Sequence, residues 1–330
     1  MNYRCCLLGM AGAGNLGDDL IAIATAIRLH ETSELPIQVT LLADAEPIQV
    51  PIPDFVAVIR RPRSRSLRHH VRRSRLEREA IRSADFVVLA GGGLLQDTHY
   101  RLGPQKYFRL LRYRRPGCRL VALAMGVGPF RSKIMARYSA FVVREFDYVS
   151  VRDQSSYEML SSLGVRTIVT SDPVAGTALD RLSIPQARRR SGLGVSYRPW
   201  PGFAERECCR LIEGALRALG HENAPIKLFV FEYAPYVSTS ESMAAEQLAS
   251  RLRGHGYVAT VHRYNDDPFD QFIHHFTSVE HAIAMRFHAN VLWQKTGVPT
   301  LPISYAPKVQ SLYKERGVKK IRAVGEELED

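Results

Sequence analysis

The sequence predicts an α/β protein made of two Rossmann-like domains, and two observations support this class. Short apolar segments alternate with helical segments along most of the 330 residues. This alternation is typical of parallel sheets wound with helices. The apolar segments are continuous runs of Val, Leu and Ile, without polar residues at alternate positions. Such runs are expected of strands that are buried on both faces.

The first half of the chain is predicted to contain five strands and three helices. Strands are predicted at Cys5–Gly9, Gln38–Leu42, Phe86–Ala90, Leu120–Gly126 and Tyr148–Val151. The first helix follows the loop AGAGNLGDD and runs to about Ile27, and two more are predicted at Lys133–Phe146 and Gln154–Leu163. Gly164 suits the left-handed position that ends the last of these helices.

A stretch with Pro173, Gly176 and Pro185 interrupts the alternation. It predicts a first domain at 1–175, a linker at 176–191 and a second domain at 192–330. In the second domain, strands are predicted at Leu193–Tyr197, Lys227–Phe231, Val258–Val261, His281–Met285 and Thr300–Ile303, and helices at Phe203–Leu219 and Ser240–Leu252, closed by Gly220 and Gly254. Two such halves facing across a cleft form a GT-B-like fold, in which ligands bind beyond the carboxyl ends of the strands.

The formal net charge of +12 is concentrated in one stretch. Arg60–Arg78 contains nine arginines together with His69 and His70. No aromatic residues are interleaved, so nucleic acid is not expected as a partner. Two interpretations remain: a solvated surface, or peripheral contact with an anionic membrane or a lipid-diphosphate carrier at its inner face.

Five cysteines are present, two pairs of them adjacent, and none in a CxxC pattern. This distribution argues against both a disulfide framework and a zinc site. No apolar run of 18 residues and no signal peptide are recognisable. The expectation is a cytoplasmic protein with reduced thiols.

Three glycine-rich segments follow predicted strands: Gly12–Asp19, Gly91–Gly93 and Gly126–Pro129. Glycine lets the backbone approach a ligand, and the amides at a helix start favour anions. Simple strand-to-helix turns are the alternative, and the first loop fits a NAD signature poorly because it ends in Asn-x-Gly-Asp. The candidates here for acceptor binding, or for a base at a sugar hydroxyl, are Asn15, Asp18, Gly92, Gly93 and Asp97. An N-terminal helix cap is the alternative for Asp18.

Arg286 and His288 follow the apolar strand His281–Met285. Residues two apart at a strand end point the same way, so both side chains are expected on one face at the carboxyl edge of the second sheet. Arg152 and Lys308 also follow predicted strands. The topology could gather these four basic groups in one cleft, where they would suit a small ligand carrying a carboxylate and a phosphate. Taken singly, each cation is more typical of a surface charge than of a ligand-binding group, and a lone His is more typical of a structural cap or a satisfied core residue.

The ordered set of motifs resembles the polysaccharide pyruvyl transferase family, from about Gly9 to Leu312. The segments that carry the resemblance are Gly14–Asp19, Gly91–Asp97, Gly126–Pro129, Ser150–Asp153, Leu163–Val165, Ser171–Pro173, Met285–His288, Gly297–Pro299 and Ser304–Val309. Phe287 stands where the family often has Leu. The resemblance implies phosphoenolpyruvate as the donor substrate and Arg152, Arg286 and Lys308 as its anion-binding groups. It also implies that Arg152 and Arg286 are catalytic, with His288 as the general acid.

The acceptor implied by this resemblance is a sugar of a cell-surface polysaccharide precursor, either free or linked to a lipid. No cofactor and no metal are expected. A nucleotide-sugar glycosyltransferase on the same fold is the first alternative, because fold does not fix function. A non-catalytic homologue that binds glycans or regulates their production is the second.

Overall fold

The computed structural model describes residues 2–60, 67–97, 112–200, 203–233, 241–304, 313 and 322–323, with the backbone alone at 67–74 and 322–323. The chain forms two compact units. The first consists of Met1–Ala13 and Asp18–Leu182, and the second of Gly14–Gly17 and Ser183–Asp330. The short segment Gly14–Gly17 therefore belongs to the second unit, although its neighbours in sequence belong to the first.

The first unit is built on a seven-stranded sheet. Its strands are β1 (Tyr3–Leu8), β2 (Ile37–Ala43), β3 (Val56–Arg60), β4 (Phe86–Leu95), β5 (Arg119–Val127), β6 (Tyr148–Val151) and β7 (Ile168–Val169). Its described helices are Leu16–Thr32, Leu67–Ser83, Lys133–Val143, Gln154–Ser162 and the short Pro173–Gly176, with a 3-10 turn at Asp180–Leu182.

The second unit is built on a six-stranded sheet. Its strands are β8 (Leu193–Ser196), β9 (Ile226–Val230), β10 (Ala259–Arg263), β11 (His281–Ala284), β12 (Thr300–Ser304) and β13 (Arg322–Ala323). The described helices are Glu205–Ala218, Glu241–Gly254, Phe269–Thr277 and Phe287–Lys295.

Both sheets have the doubly wound parallel topology. The strand orders are β3-β2-β1-β4-β5-β6-β7 and β10-β9-β8-β11-β12-β13, and every strand pair is parallel. The direction of winding reverses between β1 and β4 in the first unit and between β8 and β11 in the second. Ligands of such sheets bind beyond the carboxyl ends of the strands at this reversal. The predicted α/β class with two Rossmann-like halves is confirmed.

An aromatic cluster fixes the helix Phe287–Lys295 against the helix Phe269–Thr277. The rings of Trp293 and Phe276 stack with centroids 4.3 Å apart, and the indole Nε1 of Trp293 donates to the Phe276 carbonyl at 2.9 Å. Burying two stacked aromatic rings with the indole N–H satisfied gives this helix one defined position. The first turn of that helix carries His288, so the cluster also determines where the imidazole lies.

Two local predictions were wrong, and not every strand was predicted. Gly91–Gly93 were expected to form a loop but lie inside β4, where Gly91 and Gly92 have φ of 24° and 80° and the register with β5 shifts after Gly92. The glycines therefore bend β4 and allow a β-bulge, in which β4 has one residue more than β5. Gly254 was expected to be the left-handed residue just beyond the C-terminus of its helix, but it is the last residue of that helix. The left-handed residue is Gly256 (φ 90°). The strand β3 was not predicted.

All five cysteines are buried, with exposures between 0% and 7%. Burial raises the pKa of Cys5 and of Cys208, so these thiols stay protonated. Among the described helices, none is both long enough and apolar enough to cross a lipid bilayer.

Candidate active site

Arg286 and His288 lie at the junction between β11 and the helix Phe287–Lys295. Arg286 has extended backbone (φ −66°, ψ 133°) and is the N-cap, and His288 is the second residue of the helix. The strand ends at Ala284, so the expectation that both side chains share one strand face was wrong. The chain passes from extended backbone at Arg286 into the helix before His288. The two-residue repeat of side-chain direction in a strand therefore does not apply to this pair. The junction still lies at the carboxyl edge of β11, where the winding of the sheet reverses.

Arg286 is buried and is held by two carboxylates. Its Nε donates to Glu241 Oε2 at 2.7 Å, and its Nη2 bonds to Glu241 and to Glu232. Glu241 is buried, with a side chain only 3% exposed, whereas Glu232 is 21% exposed. Arg198, beyond the carboxyl end of β8, lies 3.8 Å from the same Glu232. The four side chains together carry no net charge, and this explains how a guanidinium is tolerated inside the unit.

Burial raises the pKa of Glu241, while Arg286 and a backbone hydrogen bond oppose that rise. The hydrogen bond comes from the Phe231 amide, which donates to Glu241 Oε1 at 2.7 Å. Both carboxylate oxygens of Glu241 are thus occupied. Such a group orients Arg286 rather than reacting itself.

The segment Gly14–Gly17 runs beside the end of β9 and reaches His288. The Leu16 amide donates to the Phe231 carbonyl at 3.0 Å, the Tyr233 amide donates to the Gly14 carbonyl at 3.0 Å, and Asn15 forms an antiparallel bridge with Glu232.

Gly17 packs directly against the imidazole of His288. A methyl group at Gly17 would overlap the ring, with the Cε1 and Cγ atoms of His288 at 2.9 Å. The Gly17 amide donates to Asn15 Oδ1 at 2.9 Å, so the side chain of Asn15 shapes the turn that brings Gly17 to the ring. Only glycine fits at this position.

Asn290 holds the junction in place, a role that the sequence analysis missed. Its Nδ2 donates to the carbonyls of Arg286 at 2.8 Å and Ala284 at 3.2 Å. Its Oδ1 accepts the hydroxyl of Tyr313 at 2.7 Å. Asn290 is fully buried, and a buried amide within an otherwise apolar helix is a signal that could have indicated it.

In the first unit, Arg152 follows β6 and is also held by an acid. Its Nη1 donates to Asp172 Oδ2 at 2.9 Å, with side chains 5% and 3% exposed. The other oxygen of Asp172 accepts the Val174 amide at 3.0 Å. A Cβ at Gly126, near the end of β5, would lie 3.3 Å from Arg152 Nη2, so this glycine leaves room for the guanidinium.

Asp18 and Gly92 come together near this edge of the first sheet. A Cβ at Gly92 would lie 3.5 Å from Asp18 Oδ1, and one at Gly126 would lie 3.1 Å from the Gly92 carbonyl. In the preceding loop, the carboxylate of the neighbouring Asp19 accepts a hydrogen bond from the Gly12 amide at 2.7 Å. The predicted residues Asp18, Gly92 and Arg152 therefore surround the same glycine-lined edge.

Asp97 and Gly93 have local structural contacts instead. The two oxygens of Asp97 accept the amides of Arg131 at 2.6 Å and Ser132 at 3.0 Å. The Gly93 carbonyl accepts the side-chain amide of Gln96 at 2.9 Å. Asp97 thus fixes the start of the helix Lys133–Val143.

Two predicted features lie wholly or partly outside the described residues. Lys308 is outside them, as are residues 61–66 of the Arg60–Arg78 run. The described backbone shows that the run continues into the helix Leu67–Ser83. At the end of the run, the guanidinium of Arg78 lies 4.9 Å from the centre of the Tyr113 ring.

Comparison with solved structures shows the same fold in sugar-processing enzymes. A UDP-GlcNAc 2-epimerase from Methanocaldococcus jannaschii matches with a TM-score of 0.57 and 11% identity, covering 100% of this chain and 94% of that one. The E. coli heptosyltransferase WaaC with ADP-2-deoxy-2-fluoro heptose matches with a TM-score of 0.51 and 15% identity, covering 92% and 89%. These neighbours have the GT-B fold, and the predicted GT-B-like class is confirmed.

No curated protein matches the sequence. The family model described as polysaccharide pyruvyl transferase, however, matches residues 15–307. The match covers most of the chain, and it includes both Asn15 and the β11 junction with Arg286 and His288. The chain therefore belongs to the polysaccharide pyruvyl transferase family and is a transferase of polysaccharide biosynthesis.

Proposed function

We propose that the protein transfers the pyruvyl group of phosphoenolpyruvate to two hydroxyls of a sugar, forming a ketal and releasing phosphate. Membership of the family implies a donor substrate and a sugar acceptor. The observation that carries the proposal is the junction at the end of β11, where a half-buried imidazole at His288 follows a buried, carboxylate-held guanidinium at Arg286. A proton donor and a cation so close together suit a donor that must be protonated and whose leaving group is an anion.

In the proposed reaction, His288 protonates the methylene carbon of phosphoenolpyruvate. A sugar hydroxyl adds to carbon two, the bond from carbon two to the phosphate oxygen breaks, and phosphate leaves with that electron pair. A second hydroxyl then closes the ketal. One hydroxyl proton recharges the imidazole and the other leaves with phosphate. An unperturbed imidazole titrates near neutral pH, so it can gain and lose the proton in each cycle. No cofactor takes part in these steps.

Arg286 would contribute to donor binding by exchanging one of its two carboxylates. Glu232 is the more exposed of the two partners, whereas Glu241 is buried and fixed by the Phe231 amide. In this proposal the donor anion takes the place of Glu232 on the guanidinium, while Glu241 keeps it oriented. Arg152 and Lys308 are proposed as the further anion-binding groups. A planar guanidinium fork suits a carboxylate or a phosphate.

Asp18 is proposed as the base for the sugar hydroxyl, and Asn15, Gly92 and Gly93 as acceptor contacts. Asp97 is the weaker candidate because two backbone amides occupy its oxygens. The acceptor is proposed to be a hexose or N-acetylhexosamine of a polysaccharide precursor. A lipid-linked precursor would give the Arg60–Arg78 run an anionic partner at the inner face of the membrane.

The donor can be tested by thermal unfolding with phosphoenolpyruvate, inorganic phosphate, UDP-GlcNAc or ADP-heptose, each at a large excess. A ligand at 100 times its Kd stabilises the folded state by about 2.7 kcal/mol. Arg286→Lys is the informative variant, because it keeps a cation beside Glu241 but loses the planar fork. Arg217→Ala, on the exposed side of a helix in the same unit, is the control.

The expected result is a stabilisation by phosphoenolpyruvate that is larger than that by phosphate, lost in Arg286→Lys and kept in Arg217→Ala. A stabilisation by a nucleotide sugar with none by phosphoenolpyruvate would overturn the proposal in favour of a glycosyltransferase. Incubation with labelled phosphoenolpyruvate and a panel of hexosides then tests the ketal directly. Failure to release phosphate with any acceptor would support a non-catalytic role.

A further inference from the structure

A thiol, a carboxylate and an imidazole meet between two helices of the second unit. Cys209 and Glu213 lie one turn apart on the helix Glu205–Ala218, and His255 follows the end of the helix Glu241–Gly254. The Cys209 Sγ atom is 3.7 Å from Glu213 Oε1 and 3.9 Å from His255 Nδ1, and Nδ1 and Oε1 are 2.6 Å apart. Cys209 is buried, Glu213 half-buried and His255 exposed, so the group is open to solvent on one side.

We propose that Cys209, Glu213 and His255 bind a thiophilic divalent cation of the Zn²⁺ class, with solvent completing the coordination. Sulfur, imidazole nitrogen and carboxylate oxygen are the three ligand types that zinc takes in proteins. With bonds of ordinary length, a tetrahedral ion would separate these donor atoms by about 3.3–3.6 Å. The two sulfur distances exceed this range by a few tenths of an ångström. The distance between nitrogen and oxygen must open by about 0.7 Å, which the rotation of an exposed imidazole can provide.

The surrounding charges favour a cation over a free thiolate. Burial, together with Glu213 and Glu205, raises the pKa of Cys209 to about 11, against the opposing effect of Arg251. Arg251 is itself paired with Glu205 at 2.7 Å. A bound divalent ion would supply the missing positive charge and displace the thiol proton to solvent. The charge balance around Cys209, two acids against one paired guanidinium, is therefore suited to a cation.

The group lies away from the junction that carries His288. Glu241, the partner of Arg286, begins the helix Glu241–Gly254, and His255 follows its other end. A helix of this length spans about 21 Å at 1.5 Å per residue. An ion here would not touch the reacting groups. It would join the helix Glu205–Ala218 to the end of the next helix and so stabilise the second unit.

The sequence gives no sign of this group, since Cys209 and His255 are 46 residues apart and no CxxC pattern is present. Co²⁺ is the probe of choice, because a thiolate bound to Co²⁺ gives a charge-transfer band in the near ultraviolet and tetrahedral Co²⁺ gives intense visible bands. Binding of Co²⁺ and Zn²⁺ to the full chain would be followed by this spectrum and by calorimetry. The variants are Cys209→Ser and His255→Ala, and the matched control is Cys208→Ser, which removes the neighbouring buried thiol.

The expected result is one ion per chain with a thiolate band, lost in Cys209→Ser and kept in Cys208→Ser. His255→Ala should weaken metal binding by at least about tenfold. Loss of a residue that only hydrogen-bonds to a metal ligand already lowers metal affinity about ten- to a hundredfold. Because His255 is exposed, its variant tests the site even if Cys209→Ser folds poorly. Absence of the thiolate band in the wild type, or its persistence in Cys209→Ser, would overturn the proposal and leave the three groups as a hydrogen-bonded cluster. Neither outcome depends on whether the protein is catalytically active.

Discussion

Arg286 donates from Nε to Oε2 of Glu241 at 2.7 Å, inside the second unit. This buried pair lies directly before the helix that carries His288, and the Glu241 carboxylate is fixed from its other side by the Phe231 amide. A charge pair of this kind adds little net stability relative to an apolar pair, but its geometry is strict. Its main effect is therefore to fix the direction of the guanidinium.

Glu241→Gln is expected to destabilise the protein by roughly 3–5 kcal/mol, because it removes the main counter-charge of a buried arginine. Urea unfolding measures this change. The matched control is Glu79→Gln, whose carboxylate pairs with Arg75 on the surface, where the side chains are 58% and 78% exposed. An exposed pair contributes little to stability, because solvent screens it. Equal stabilities of the two variants would contradict the structural role of Glu241.

Gly17→Ala is expected to lower turnover by displacing the imidazole of His288, since the added methyl would overlap the ring. A misplacement of about 1 Å can cost a factor of about 100 in rate. Steady-state phosphate release measures turnover, and thermal unfolding shows whether the fold is kept. Gly214→Ala is the control, because a Cβ there would contact nothing within 4 Å beyond the backbone of its own helix. If Gly17→Ala turned over at the wild-type rate, the packing of Gly17 on His288 would have no role in catalysis.

His288→Gln is expected to lower the turnover rate by about two to four orders of magnitude, the usual size for loss of a general acid. The glutamine fills similar space, so the stability should change little. His274→Gln, at an exposed position of another helix in the same unit, serves as the control. Wild-type turnover in His288→Gln would remove this residue from the proposed role.

Stability is expected to fall as the pH drops from about 6.5 to about 4, in part through His262. Burial, together with His275 and Lys227, lowers the pKa of His262 to about 4, against the opposing effect of Asp267. The rings of His262 and His275 are 4.3 Å apart. The unfolded chain, with the ordinary pKa of 6.5, takes up its proton first, so acid favours unfolding.

The contribution of His262 is on the order of 2–3 kcal/mol, present above pH 6.5 and lost on the way to pH 4. Urea unfolding between pH 4 and 8 measures it in the wild type and in His262→Gln. The variant should show a shallower loss of stability over this range. The same slope in both proteins would show that His262 is not responsible.

The fold could be predicted largely from the sequence, because strands buried on both faces leave uninterrupted apolar runs. β6 was predicted with its observed bounds, Tyr148–Val151. β3 is a short apolar run at the sheet edge in which only Val56 is buried, and it was missed although its sequence is apolar. Gly91–Gly93 were misjudged because glycine is permitted both in loops and in strand bulges.

For the candidate site, the sequence indicated only residue types and chain positions. Arg286 and His288 could be singled out because they follow a buried strand. Glu241 could not, since it is 45 residues from Arg286 and begins an ordinary amphipathic helix. The pairing of Asn15 with Glu232 could not be predicted either, because it depends on which unit a four-residue segment joins.

The buried cysteines allow the opening of each unit to be measured by thiol labelling. Cys5, Cys6 and Cys118 lie in the first unit, and Cys208 and Cys209 in the second. A thiol reagent can react with a buried cysteine only while the surrounding structure is open. The labelling rate at each position therefore reports the opening of its own unit. Mass spectrometry of the labelled peptides would show, without any mutation, whether the two units open together or one at a time.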